Sequence, residues 1–142
     1  MKAKFNPTIT KEKLNQLSKN TLTAQLGIEI TNIGHGFVEA RMPVDSRTKQ
    51  PFGLLHGGAS VALAETLGSL GAACTLTDLT QKVVGLEINA NHIKSVSEGY
   101  VTGKALPIHI GKSTQVWEIK IVNENQELVC ISRITMAILN KA

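Results

Sequence analysis

Residues 51–73 read PFGLLHGGASVALAETLGSLGAA, and this stretch decides the fold. A His-Gly-Gly knot opens a run of Ala, Leu, Val, Gly and Ser that continues to about Leu76. A surface helix shows a polar face, and this run shows none. The pattern predicts one long helix from about Gly58 to Leu76, wrapped by a sheet or covered again by a second subunit. A single acid, Glu65, interrupts it. That acid and several Gly and Ser residues argue against a membrane span.

Outward from the helix, the rest of the chain reads as strands. TITKEKLNQLSKN, residues 8–20, predicts a short N-terminal helix capped by Thr10, with Leu14 and Leu17 as its apolar stripe. GIEITNIGHGFVEARMPV predicts a hairpin that turns at Gly34 and Gly36. DSRTKQPFGLL is a polar loop broken by Pro51. Beyond the helix, KVVGLEINANHI, GYVTGKALPIHI, STQVWEIKIV and ELVCISRITMAIL give four more strands. Pro107 marks a kink or an edge position. Trp117, Ile119 and Ile121 alternate with Glu118 and Lys120. Tight turns between strands imply an antiparallel sheet, with the long helix on one face. The expected class is α+β, one domain over residues 1–142.

Composition narrows the function classes. The 142 residues are 42% hydrophobic but only 4% aromatic, so Val, Ile, Leu and Ala must fill the core. The net charge is +4, with Lys and Arg scattered from Lys2 to Lys141. Neither a basic helix nor a basic-aromatic alternation appears, which sets nucleic acid aside as a partner. Phosphate groups on a cofactor-sized ligand suit the same charge. Cys74 and Cys130 lack motif spacing and read as core thiols of a reducing cytoplasm. The N-terminus, MKAKFNPTITKEKLNQL, has no apolar signal core. No metal is expected, since His35, His56, His92 and His109 lack ligand spacing. Neither a nucleophile elbow nor a phosphate-cradling Walker loop is present.

Glu65 carries the functional reading. Its helical neighbours are Val61, Ala62, Gly68, Ser69 and Ala72. A carboxylate among these is desolvated, which raises its pKa toward the working range of a base. A structural ion pair or a solvated helix edge is the plainer alternative. Ser69, one turn on, can reach the same pocket or simply pack. Gly57 and Gly58 lack a Cβ, so a ligand can approach the backbone where the first N–H groups of the helix are unpaired. That is a site for a carbonyl oxygen becoming an oxyanion, or only a tight turn. His56 is a donor, a base or a satisfied turn histidine. Gln50 is a positioner of water or carbonyl, or an ordinary loop amide.

Over VDSRTKQPFGLLHGGASVALAETLGS, and then over KVVGLEINANHI, PIHIGKSTQVWEI and SRITMAIL, the sequence resembles the hotdog-fold acyl-CoA thioesterases of the phenylacetate-degradation type. The resemblance covers nearly the whole chain. It implies a curved antiparallel sheet wrapped around one long central helix. It also implies dimers that join their sheets and a homotetramer of two dimers. By position, Glu65 becomes nucleophile or general base, and Gly57 the backbone donor to the thioester carbonyl. Gln50 and His56 become polar partners, and Ser69 lines the site. Gly85, His92, Lys94, His109, Gly111 and Lys112 fall where the family holds pantetheine and the CoA nucleotide. No cofactor is implied, because CoA is part of the substrate. The partner is an acyl-CoA or an acyl or aryl carrier protein, with aromatic acyl groups of hydroxybenzoyl or naphthoyl type favoured. Ala62, Gly68 and Ala72 are expected to leave room for a flat ring beside Glu65. Two features depart from the family pattern: Lys94 stands where relatives often carry Arg, and TLTDLTQ differs in length and character. A dehydratase using a His–acid pair and a non-catalytic binding module are the rival readings.

Overall fold

The structure is a computed structural model that describes residues 3–78 and 80–140. The expectations that touch Met1, Lys2, Leu79 of TLTDLTQ, Lys141 and Ala142 lie outside the described residues. α1 spans Lys11–Leu17, and its N-cap Thr10 accepts from the Lys13 N–H at 3.3 Å. Only Leu14 of the expected stripe is buried; Leu17 is 75% exposed. A second helix, α2 (Leu22–Gln25), is four residues long, too short to leave a periodicity in the sequence. β1 (Glu29–Gly34) and β2 (Phe37–Pro43) form the hairpin, with Gly36 at a φ of +82° in the turn.

α3 runs from Gly57 to Cys74. It begins one residue before the expected start and stops two before the expected end, because Thr75 caps it. The Thr75 hydroxyl donates to Ala72 O at 2.7 Å and accepts from Gln115 Nε2 at 2.8 Å. Gln115 Oε1 in turn accepts from the Trp117 indole N–H at 2.9 Å. Asn6, from the N-terminal segment, donates its N–H to Cys74 O at 2.7 Å. A helix end left with free carbonyls is costly when buried, and here strand and strap share that task.

Four strands follow: β3 (Lys82–His92), β4 (Tyr100–Ile110), β5 (Thr114–Val122) and β6 (Leu128–Leu139). They join the hairpin in one antiparallel sheet of order β1-β2-β4-β5-β6-β3. The long helix therefore carries the chain from β2, near one edge, to β3 at the opposite edge. On the way it lies against the concave face of the curved sheet, as the hotdog fold requires.

Packing explains why this helix is rich in small residues. A Cβ on Gly68 would meet Ile134 Cγ2 at 2.3 Å, and one on Gly71 would meet Trp117 Cζ3 at 2.8 Å. The helix can seat on the sheet only because both are absent. Trp117, Ile119 and Ile121 are fully buried beneath it, while Glu118 and Lys120 pair at 3.2 Å on the other face. Pro107 lies in a central strand rather than an edge strand. It sits past the last β2 pair, Val38 with Ala105, and at a bulge between Pro107 and His109. It is tolerated there because β4 is locally without its β2 neighbour.

Candidate active site

The loop before α3 is held from inside. Thr48 is 1% exposed; its hydroxyl donates to Pro43 O at 2.7 Å and accepts from the Asp45 N–H at 3.1 Å. Arg47 pairs with Asp45 at 2.7 Å and holds that carboxyl down at about 2. Thr48 O then accepts from the His56 N–H at 2.8 Å, and Leu54 O from the Gln50 N–H at 2.8 Å. These bonds fix where the loop delivers Gln50 and His56. The Gln50 side-chain carbonyl accepts from the Phe52 N–H, so its amide NH2 is the end left to meet a ligand carbonyl. Thr48 was not among the site residues the sequence suggested. The signal was the Asp-Ser-Arg-Thr turn, whose Asp and Thr side chains bond their own backbone.

At the helix entrance the structure gives His56 a local partner. The residue is the N-cap of α3, and its Nδ1 accepts from the Gly58 N–H at 2.7 Å. His56 O accepts from Ala59 at 2.9 Å and from Ser60 at 3.2 Å. Of the N–H groups in this first turn, only that of Gly57 has no acceptor among the described residues. The two glycines are also explained differently from the expectation of ligand approach. A Cβ on Gly57 would meet His92 Nε2 at 2.8 Å, and one on Gly58 would meet His56 Nδ1 at 2.9 Å. Each makes room for an imidazole. Gln50, Gly57, Ser60, His92 and Lys94 line one cleft of about 300 Å³. Ser60, buried at its wall, escaped sequence reading because a helical Ser among Ala and Leu carries no distinguishing pattern. Lys94 leans on Glu127 at 2.5 Å, and that contact lowers the Glu127 pKa.

Glu65 does not open into that cleft. It lies eight residues further along α3, roughly 12 Å along the axis at 1.5 Å per residue. The carboxylate is half-buried and has neither ion pair nor hydrogen bond within the chain among the described residues. Desolvation raises its pKa above the ordinary 4.5. It faces β3, where a Cβ on Gly85 would stand 2.6 Å from Glu65 Oε1. Ser69 is half-buried one turn on, with Ala62 one turn back. The expected room for a ring is narrower than the sequence suggested. Gly68 and Ala72 are buried on the sheet side, and Ile134 occupies the space beside Gly68; of the three, Ala62 alone is less than fully buried.

His109, Gly111 and Lys112 are elsewhere again. They belong to the end of β4 and its turn, where the Gly111 N–H donates to Thr114 O at 2.9 Å. Gly111 and Lys112 line a second cleft, of about 400 Å³, with Thr75, Thr77 and Gln81. That cleft is at the C-terminal end of α3, roughly 25 Å from the N-terminal one. One chain therefore spreads the expected CoA-holding residues along its helix: His92 and Lys94 at the N-terminal end, Gly85 beside Glu65, and Gly111 and Lys112 at the C-terminal end. Among the described residues, no group of three or more His, Cys, Asp or Glu is placed to hold a metal ion, and no helix is long and apolar enough to cross a membrane.

A free backbone donor at a helix start and an uncommitted carboxylate on the same helix are parts suited to polarising and attacking an acyl carbonyl. Known proteins with similar chains agree. The chain is 55% identical over 131 residues to 1,4-dihydroxy-2-naphthoyl-CoA hydrolase of Escherichia coli, covering 92% of this chain and 96% of that one. It is 52% identical over 131 residues to the proofreading thioesterase EntH of Cronobacter turicensis, covering 92% and 95%. A solved thioesterase from Haemophilus influenzae superposes with a TM-score of 0.93 at 51% identity, over 96% of this chain and 94% of that one. The family model of the thioesterase superfamily matches residues 52–130, from the loop that carries the cap through α3 and into β6, so that the chain belongs to that superfamily and is a thioester hydrolase.

Proposed function

We propose that the protein hydrolyses aromatic acyl-CoA thioesters, with Gly57 of one copy and Glu65 of a second copy meeting at each site. One observation carries this. The free Gly57 N–H and the uncommitted Glu65 carboxylate are separated by about 12 Å of a single rigid helix, too far to converge on one carbonyl, and neither is fully buried. A second copy brings its own Glu65 to the first copy's Gly57. Such a shared site requires at least a dimer, and the resemblance extends this to a tetramer.

In such a site the Gly57 N–H and the Gln50 amide donate to the thioester oxygen, which takes up negative charge as the carbonyl carbon becomes tetrahedral. Glu65 either takes a proton from water, whose oxygen bonds to that carbon, or bonds to the carbon itself. The carbon–sulfur bond then breaks, CoA leaves as the thiolate, and protonation gives the free thiol. In the second route, water hydrolyses the mixed anhydride and regenerates Glu65. Neither route needs a cofactor. His92 and Lys94 at one helix end, and His109, Gly111 and Lys112 at the other, supply polar contacts for pantetheine and the nucleotide. His56 acts through the helix as its cap. The buried free thiols of Cys74 and Cys130 suit a reducing, cytoplasmic setting.

The E. coli relative, a naphthoyl-CoA hydrolase by name, favours an aryl acyl group on CoA, while the Cronobacter relative is named a proofreading thioesterase. The E. coli relative also makes a step of menaquinone synthesis a natural place for the activity. Thiol release from 4-hydroxybenzoyl-CoA, acetyl-CoA and an aryl-loaded carrier protein separates the readings. Aryl-CoA is expected to give the highest kcat/KM; a preference for acetyl-CoA would refute the aromatic assignment. The shared site is tested by complementation. Gln50→Ala and Glu65→Ala, each nearly inactive, are co-refolded in equal amounts. Half the dimers are then mixed and half of their sites intact, so roughly a quarter of wild-type activity returns. Activity no higher than the mean of the two parents, with mixed dimers shown to be present, rules the shared site out.

A further inference from the structure

Gly85 has no backbone reason to be glycine. Its φ lies outside the left-handed region occupied by Gly27, Gly36, Gly53 and Gly99, so any residue could adopt its conformation. Nor does the strand demand it: a glycine inside a strand weakens it and often marks a close approach. The approaching group is the Glu65 carboxylate. A Cβ at Gly85 would be 2.6 Å from Oε1 and 3.6 Å from Cδ, and the first of these separations is closer than real contacts allow. β3 also departs from regular pairing at this point, with the register against β6 shifting between Gly85 and Glu87. A bulge re-aims the backbone locally, and here it does so opposite the one acid of α3.

We propose that Gly85 is a positioning residue for the reaction: the missing Cβ beside the β3 bulge is the seat that holds the Glu65 carboxylate where it meets the acyl carbon. The inference rests on the assignment of Glu65 above and adds a role for Gly85 distinct from contact with pantetheine. An added methyl displaces only the far end of a flexible side chain. The fold should therefore survive Gly85→Ala, while the carboxylate loses its placement.

The test uses the full-length protein and 4-hydroxybenzoyl-CoA. Gly85→Ala is expected to lower kcat on the order of 10- to 100-fold, the scale of a misplacement near 1 Å. KM and the thermal midpoint should hardly change, and the acid limb of the kcat profile should shift. Glu65→Asp, one methylene shorter, withdraws the carboxylate from the seat. In that background Gly85→Ala should cost less than about threefold, a non-additivity that marks direct coupling. A rise in KM with kcat unchanged would assign Gly85 to substrate contact and overturn the proposal. So would an equal loss in both backgrounds. Glu65→Ala, run beside them, separates the two levels of argument. If that variant turns over normally, the role of Glu65 fails. If it is inactive while the other losses are additive, only the seat fails.

Discussion

The two edges of the sheet are built in opposite ways. At β1 the edge is closed by a side chain. Asn15 of α1 accepts from the Ile30 N–H at 2.8 Å and donates to Ile30 O at 2.9 Å, acting as one residue of a neighbouring strand. The edge then shifts register between Ile30 and Asn32. At β3 the edge is eleven residues long, and none of them is fully buried. Leu86 is 61% exposed, with Ile93 at 58% just beyond the strand. Natural proteins protect open edges with bulges, charges or covering elements. The first edge has such protection; the second has one bulge and bare apolar groups, and it is the edge that carries the seat of Glu65. The difference fits the proposed shared site: one edge is closed within the chain, and the other is left open for a second copy.

If that is right, damage to the β3 side should be far more costly to activity than damage to the β1 side. The largest effect should come from Glu65→Ala: a loss of about 10²- to 10⁴-fold in kcat, the usual worth of a positioned base, with CoA binding retained in calorimetric titration. Next, lysines placed together at Val84 and Leu86 should leave a monomer on sedimentation and lower kcat/KM on the order of 10²-fold, because like charges oppose edge pairing. Asn32→Lys on the β1 side should change neither. Equal loss from both edges would dissolve the comparison. A smaller effect is expected of Asn15→Ala, which strips two hydrogen bonds from the closed edge. It should cost about 1–3 kcal/mol in denaturant unfolding while kcat stays normal.

The smallest effects are read from pH. Burial holds the Glu65 proton more tightly in the folded chain than in the unfolded one. The folded state then binds more protons, and stability falls as pH rises from the ordinary 4.5 through the raised folded value. Glu65→Gln should abolish that fall, leaving the variant the more stable protein above the window. Asp45 behaves oppositely. Its pairing with Arg47 stabilises above the ordinary 3.8 and is lost as pH drops toward about 2. Thermal midpoints measured against pH for the wild type, Glu65→Gln and Asp45→Asn would show the two slopes with opposite sign. A wild type with the same slope as Glu65→Gln would contradict the burial of the acid.

Much of this was legible in the sequence where the signal is local. The alternation of Trp117, Ile119 and Ile121 with Glu118 and Lys120 fixes β5 and its buried face, since a strand's side chains alternate by necessity. The run after the His-Gly-Gly knot, charged only at Glu65, fixes α3. What escaped is long-range. No local pattern says that β3 leaves its sequence neighbour β4 and pairs with β6, yet that placement brings Gly85 to Glu65. His92 over Gly57 has the same origin. His56 was ambiguous because a capping imidazole and a catalytic one present the same letter; only the bond from the Gly58 N–H separates them. Gly68 and Ala72 were misjudged because a helix with no polar side does not announce which small residues meet the sheet.

The clamp at the C-terminal end of α3 has a spectroscopic consequence. Trp117 is the chain's one tryptophan, fully buried and tethered through Gln115 to Thr75, with the Phe5 ring centroid 6.3 Å away. Its fluorescence comes from a dry, fixed environment at the opposite end of the helix from Gln50 and Gly57. Because the indole is fully buried, the emission maximum should stay put when an acyl-CoA binds and move to longer wavelength only when the helix parts from the sheet. A single natural fluorophore thereby tells unfolding apart from ligand binding, with no label added.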